Sequence, residues 1–177
     1  MRLRLTAKGS IVAFAAALAA TAVLAMEAHA PAATNPGFEK MTSLVGEWAG
    51  TVDDGGKKMP VTASYRLVSN GTALEETLKT PEDMDMITMY VADGKSLAMT
   101  HYCAEGNQPR MRAAVPAGSV TKLDFQYVDA TNLDGDGASH MHALVVIFKD
   151  ADHFSQAWTH RVDGKDQTGV FEFERKK

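Results

Sequence analysis

Cysteine is nearly absent: Cys103 is the only one in 177 residues. A lone thiol closes no internal disulfide, so the fold is held by its core. Cys103 itself reads either as a small buried apolar residue or as a reactive thiol or metal ligand. The chain lacks a Gly-x-Ser-x-Gly elbow, a His-Glu-x-x-His pair and a glycine-rich phosphate loop. The commonest signatures of serine hydrolases, zinc proteases and nucleotide-binding enzymes are therefore missing. Basic charge is not in excess either. The formal net charge is −4, which argues against nucleic acid or an anionic membrane face as partner. Beyond the first thirty residues no apolar run is long enough to span a bilayer.

Those first thirty residues have the layout of a secretory signal. Arg2, Arg4 and Lys8 make a basic start, residues 11–26 (IVAFAAALAATAVLAM) an apolar run, and Ala28-His29-Ala30 a small-residue cleavage site. No lipoprotein cysteine or twin-arginine pair accompanies them. The expectation is a signal peptide over 1–30 and a periplasmic or secreted domain over 31–177. Removing Arg2, Arg4, Lys8 and Glu27 from 18 basic and 22 acidic residues leaves 15 and 21, a net charge of −6 on 147 residues. That is enough chain for one domain with a real core.

Asn35 followed by Pro36 reads as a helix N-cap, with Phe38, Met41 and Val45 near helical spacing and Gly46 placed to end the turn. After Gly46 the period changes to two. Ten strands are expected, at 46–52, 60–68, 72–79, 85–92, 95–103, 108–115, 119–128, 140–149, 153–162 and 168–175. Asn70-Gly71, Asp93-Gly94, Gly106-Asn107 and Asp163-Gly164 supply hairpin turns between them. Strands so spaced, without helices between them, predict an all-β, antiparallel up-and-down sheet. Closure into a barrel of about eight to ten strands removes its exposed edges.

Gly46-Glu47-Trp48 after a helical turn resembles the Gly-x-Trp start of the calycin superfamily, which includes lipocalins and fatty-acid-binding proteins. In those barrels the Trp crosses the closed end under a basic residue from the last strand. The resemblance gives Arg175 that place, and Gly46, Trp48 and Arg175 a structural role. The stretches SLVGEWAG, SNGTALEET, THYCAEGNQPRM, DATN and HMHALVV are similar to exported bacterial proteins with a lipocalin-like barrel. That group carries no assigned chemistry, so the resemblance implies a fold and not an activity.

Residues two apart on a strand share a face. Leu97, Met99, His101 and Cys103 then point inward, as do Leu74, Glu76 and Leu78, and Phe154, Gln156, Trp158 and His160. On 140–149 both faces are apolar, leaving the direction of His140 and His142 open. A buried Glu76 needs a partner, expected to be a histidine or arginine. Arg110 either reaches Glu76 or an acidic head group, or faces solvent with Arg112 while Met111 and Ala113 turn inward. The expected ligand-binding set is Glu76, His101, Cys103, Arg110, His142, Trp158 and His160. It would hold a small hydrophobic or amphipathic molecule with a polar or acidic head. The alternatives are a lumenal metal site, with His140-x-His142 joined by His101, Cys103 or His160, or acid–base catalysis by Glu76 and His101. No cofactor is identified. Residues 132–137 (NLDGDG) lack the closing Glu of an EF-hand loop.

Overall fold

The computed structural model describes residues 35–54, 57–81, 84–135 and 137–177; the expected signal peptide lies outside them. Helix α1 (Pro36–Thr42) starts where the Asn-Pro pair predicts. The Asn35 side chain accepts from the Phe38 N–H at 2.9 Å, and its amide donates to the carbonyls of Gly94 and Ser96. One side chain thus caps the helix and pins it to a strand turn. The helix ends at Ser43, before Gly46. Gly46 has φ of +127° and instead swings the chain into the first strand.

Ten strands follow: β1 (Gly46–Asp54), β2 (Lys57–Val68), β3 (Ala73–Lys79), β4 (Asp85–Asp93), β5 (Ser96–Tyr102), β6 (Gln108–Ala114), β7 (Lys122–Thr131), β8 (His140–Phe148), β9 (His153–Val162) and β10 (Lys165–Arg175). Each pairs antiparallel with the next in sequence, and β10 returns to β1, closing the barrel. This all-β, up-and-down architecture with a short helix before the first strand is compatible with a calycin-like fold. Positive φ at Asp163 and Gly164 and at Gly94 makes the tight turns that join neighbouring strands.

Period-two burial fills the lumen. Val61, Ala63 and Tyr65 on β2, Leu74, Glu76 and Leu78 on β3, and Phe154, Gln156 and Trp158 on β9 all point inward. One end is closed by α1. There the Trp48 indole N–H donates to the Leu44 carbonyl at 2.7 Å, and Phe154 meets the indole edge-on at 4.7 Å. The Arg175 guanidinium lies 4.1 Å from the Trp48 ring centroid and donates to the carbonyls of Ser43, Val45 and Ala151. It seals helix end and strand ends together.

Two irregularities shape the other end. The β6–β7 register shifts between Arg110 and Met111, and the β8–β9 register between Met141 and Ala143. The second settles the ambiguous strand. Leu144, Val146 and Phe148 are buried opposite Trp158, Gln156 and Phe154, while Met141 stands opposite His160. His142 is the extra residue between them. Among the described residues no helix is long and apolar enough to cross a membrane.

Candidate functional site

The mid-lumen holds a polar relay. Glu76 is 1% exposed. Its carboxylate accepts from the Tyr90 hydroxyl at 2.6 Å and from the Gln156 amide at 2.9 Å, with the Tyr65 hydroxyl beside it. Gln156 also donates to Tyr65 and accepts from the Trp158 indole at 3.1 Å. Among the described residues no histidine or arginine meets Glu76, contrary to the sequence expectation. Two phenols and an amide satisfy it without bringing a second charge into the core, which a cation would require. Burial is the largest influence on Glu76 and raises its pKa; the hydrogen bonds oppose it. Burial likewise lifts both tyrosines.

His101, also 1% exposed, joins the relay through Thr88. Its Nδ1 lies 2.9 Å from the Thr88 hydroxyl, which in turn stands beside Tyr90. Its Nε2 has no hydrogen-bond partner, and its ring lies 4.6 Å from that of Trp158. Burial drops its pKa to about 4, so the imidazole is neutral at pH 7. Tyr90 and Thr88 stand between His101 and Glu76, so these two share no direct proton path.

Above Trp158 the barrel opens into a cup of about 380 Å³. Its apolar wall comes from Val52, Met59, Met141, Trp158 and Phe171, and Gly169 leaves the space over the indole free. The polar side carries His160, whose Nε2 lies 3.0 Å from Glu105 and 2.6 Å from the Ser139 hydroxyl. Thr80 also lines the cup, and its hydroxyl is buried without a partner among the described residues.

The expected set is therefore divided. Trp158 and His160 line the cup; Glu76 and His101 lie in the relay behind it. Cys103 is buried at the end of β5, where burial raises its thiol pKa. Arg110 is not in the lumen. It is exposed on the outer face and forks onto Asp129, its partner in register, while Met111 and Ala113 turn inward. The fork is satisfied by a cross-strand carboxylate, so nothing draws this charge into an apolar lumen.

His142 is drawn to the outside. His140, in register with Arg161, and His142 share an open hollow with Tyr127 and Leu133. They do not meet His101 or Cys103, and among the described residues no three His, Cys, Asp or Glu side chains gather as a metal site. The lumenal metal constellation is thus not assembled, because the bulge turns the pair away from the lumen. Sequence reasoning missed Tyr65 and Tyr90, although face alternation along β2 and β4 points both inward. Glu105 and Ser139 sit on loops, where no period marks them. Comparison with known protein families and with curated proteins finds no match to this chain.

Proposed function

We propose that the barrel binds a small, mostly apolar molecule with a polar head through its open end, and that the chain acts outside the cytoplasm after loss of residues 1–30. The cup carries this reading: about 380 Å³ with an apolar wall and a few polar groups on one side, the usual make-up of a small-molecule site. Trp158 forms the floor, and Met59 and Met141 give the wall thioethers that adapt to ligand shape. The ligand's head meets His160 and Glu105. The pair offers a donor and an acceptor, and no arginine. It therefore suits a hydroxyl, amide or protonated head better than a bare carboxylate.

Gly169 provides the test. An added Cβ there stays at ordinary contact distance, 3.8 Å from Val52 and 3.9 Å from Phe171, and the backbone φ is not positive. Gly169→Leu fills the cup and leaves the barrel standing. A native mass spectrum of protein recovered from a bacterial periplasm, set against its denatured mass, is expected to show an organic adduct in the wild type and none in Gly169→Leu. Wild type without adduct that also fails to bind an amphipathic naphthalene sulfonate dye would defeat the proposal, as would equal binding by the variant.

A further inference from the structure

The bulge in β8 does more than end a ladder. Residues two apart on a regular strand place their side chains side by side, about 6.5–7 Å apart along the chain. Here the extra residue brings two imidazole nitrogens together, His140 Nε2 and His142 Nδ1, at 3.1 Å. Each ring is held from behind. His140 Nδ1 lies 2.8 Å from the Ala138 carbonyl, so it carries the proton and leaves Nε2 as a lone pair. His142 stacks on Tyr127 at 4.9 Å, and Tyr127 packs on His140 as well at 4.8 Å.

We propose that His140 and His142 form an outward-facing binding site for one divalent transition-metal ion, copper(II) foremost. With metal–nitrogen bonds of about 2.0–2.1 Å, nitrogens 3.1 Å apart subtend about 100° at a shared ion. That bite falls between the square-planar and tetrahedral angles. At 3.1 Å the two nitrogens share one proton, which His142 Nδ1 donates to His140 Nε2. On metal binding His142 carries that proton on Nε2 instead, and both rings turn to aim their freed lone pairs at the ion. A backbone carbonyl behind a ligating histidine is the customary support for such a site. The hollow in front, about 430 Å³ and lined also by Leu133, Gly135 and Arg161, leaves room for waters in the remaining positions. Arg161 is forked onto Asp166, so the charge nearest the ion is balanced. Imidazole with water is a nitrogen–oxygen donor set, and the usual order of affinities puts copper(II) above zinc and nickel on it.

The site stands apart from the cup and from the proposal made for it. Its test is titration of copper(II) alone into the purified protein, followed by electron paramagnetic resonance. The expected result is one equivalent bound with coupling to two imidazole nitrogens. His142→Gln and His140→Asn are each expected to weaken binding by about tenfold or more, while His160→Gln leaves it unchanged. His142 is half-buried, so His142→Gln keeps the test alive if loss of the more buried His140 harms folding. Absence of copper binding, or two-nitrogen coupling that survives in His142→Gln, would overturn the proposal.

Discussion

Burial of His101 makes the stability of the fold depend on pH. Its folded pKa is about 4 against an ordinary 6.5, so between these values the unfolded chain binds a proton that the folded one refuses. Stability is therefore present above pH 6.5 and lost as pH falls toward 4, by about 3 kcal/mol in full. Glu76 has the opposite sense. Its raised pKa means the folded state holds the proton more tightly. That contribution is present below the usual glutamate range and disappears as pH rises through the raised value. Urea denaturation from pH 4 to 8 separates the two. The stability difference between wild type and His101→Phe is expected to shrink by about 3 kcal/mol on going from pH 7 to pH 4. Glu76→Gln should flatten the higher-pH side instead. A His101→Phe protein that keeps the wild-type acid slope would place that titration elsewhere. Arg110, paired with Asp129 on the outer face, belongs to neither process, and Arg110→Ala is expected to leave ligand binding unchanged in the same dye assay.

At the scale of elements, the joints between strands and caps decide more than the strands do. Arg175 donates to three carbonyls from two different connections while it covers Trp48. Arg175→Ala strands those acceptors and is expected to cost about 1.5–3 kcal/mol in denaturant unfolding. Arg175→Lys should recover only part of it, because an ammonium cannot fork or stack. Loss within error of zero for Arg175→Ala would show that the helix docks without the plug. The β8 bulge offers a second test. Ladder pairs run His140–Arg161, Met141–His160 and then Ala143–Thr159, so removing His142 restores an unbroken register. The deletion is expected to melt within a few degrees of wild type while abolishing copper binding. A collapse of the fold would mean that the bulge is needed to bend β8.

At the scale of the molecule, closure turns ten marginal strands into one rigid wall. Every strand has two neighbours, so the sheet has no free edge strand to offer another chain. The lumen is then divided by depth. Trp48 and Phe154 plug the helical end, the Glu76–Tyr90–Gln156 relay fills the middle, and the space above Trp158 remains open. A satisfied polar layer in mid-barrel keeps the core uniquely packed and provides the cup with a firm floor. Breaking it with Glu76→Leu leaves the Tyr90 hydroxyl without its acceptor. Stability is expected to change along with dye affinity, because the floor and the fold share the same bonds.

Strand number and order, hairpin turns, the capped helix and barrel closure were legible along the chain, although β7 runs Lys122–Thr131, not 119–128, and β10 and β2 each start three residues early, at Lys165 and Lys57. They rest on local physics: alternation of faces, positive φ at Asn-Gly and Asp-Gly, and the cost of open edges. The inward direction of Glu76, His101 and Trp158 followed from the same alternation. What only the tertiary structure decided depends on neighbours distant in sequence. Arg110 faces out because Asp129 stands opposite it. Glu76 is held by phenols because Tyr65 and Tyr90 reach it from adjoining strands. His142 leaves the lumen because a single residue is added to β8 and not to β9. A two-residue period propagates faces faithfully until a bulge inverts them, and a bulge belongs to the pairing of two strands, not to the sequence of either.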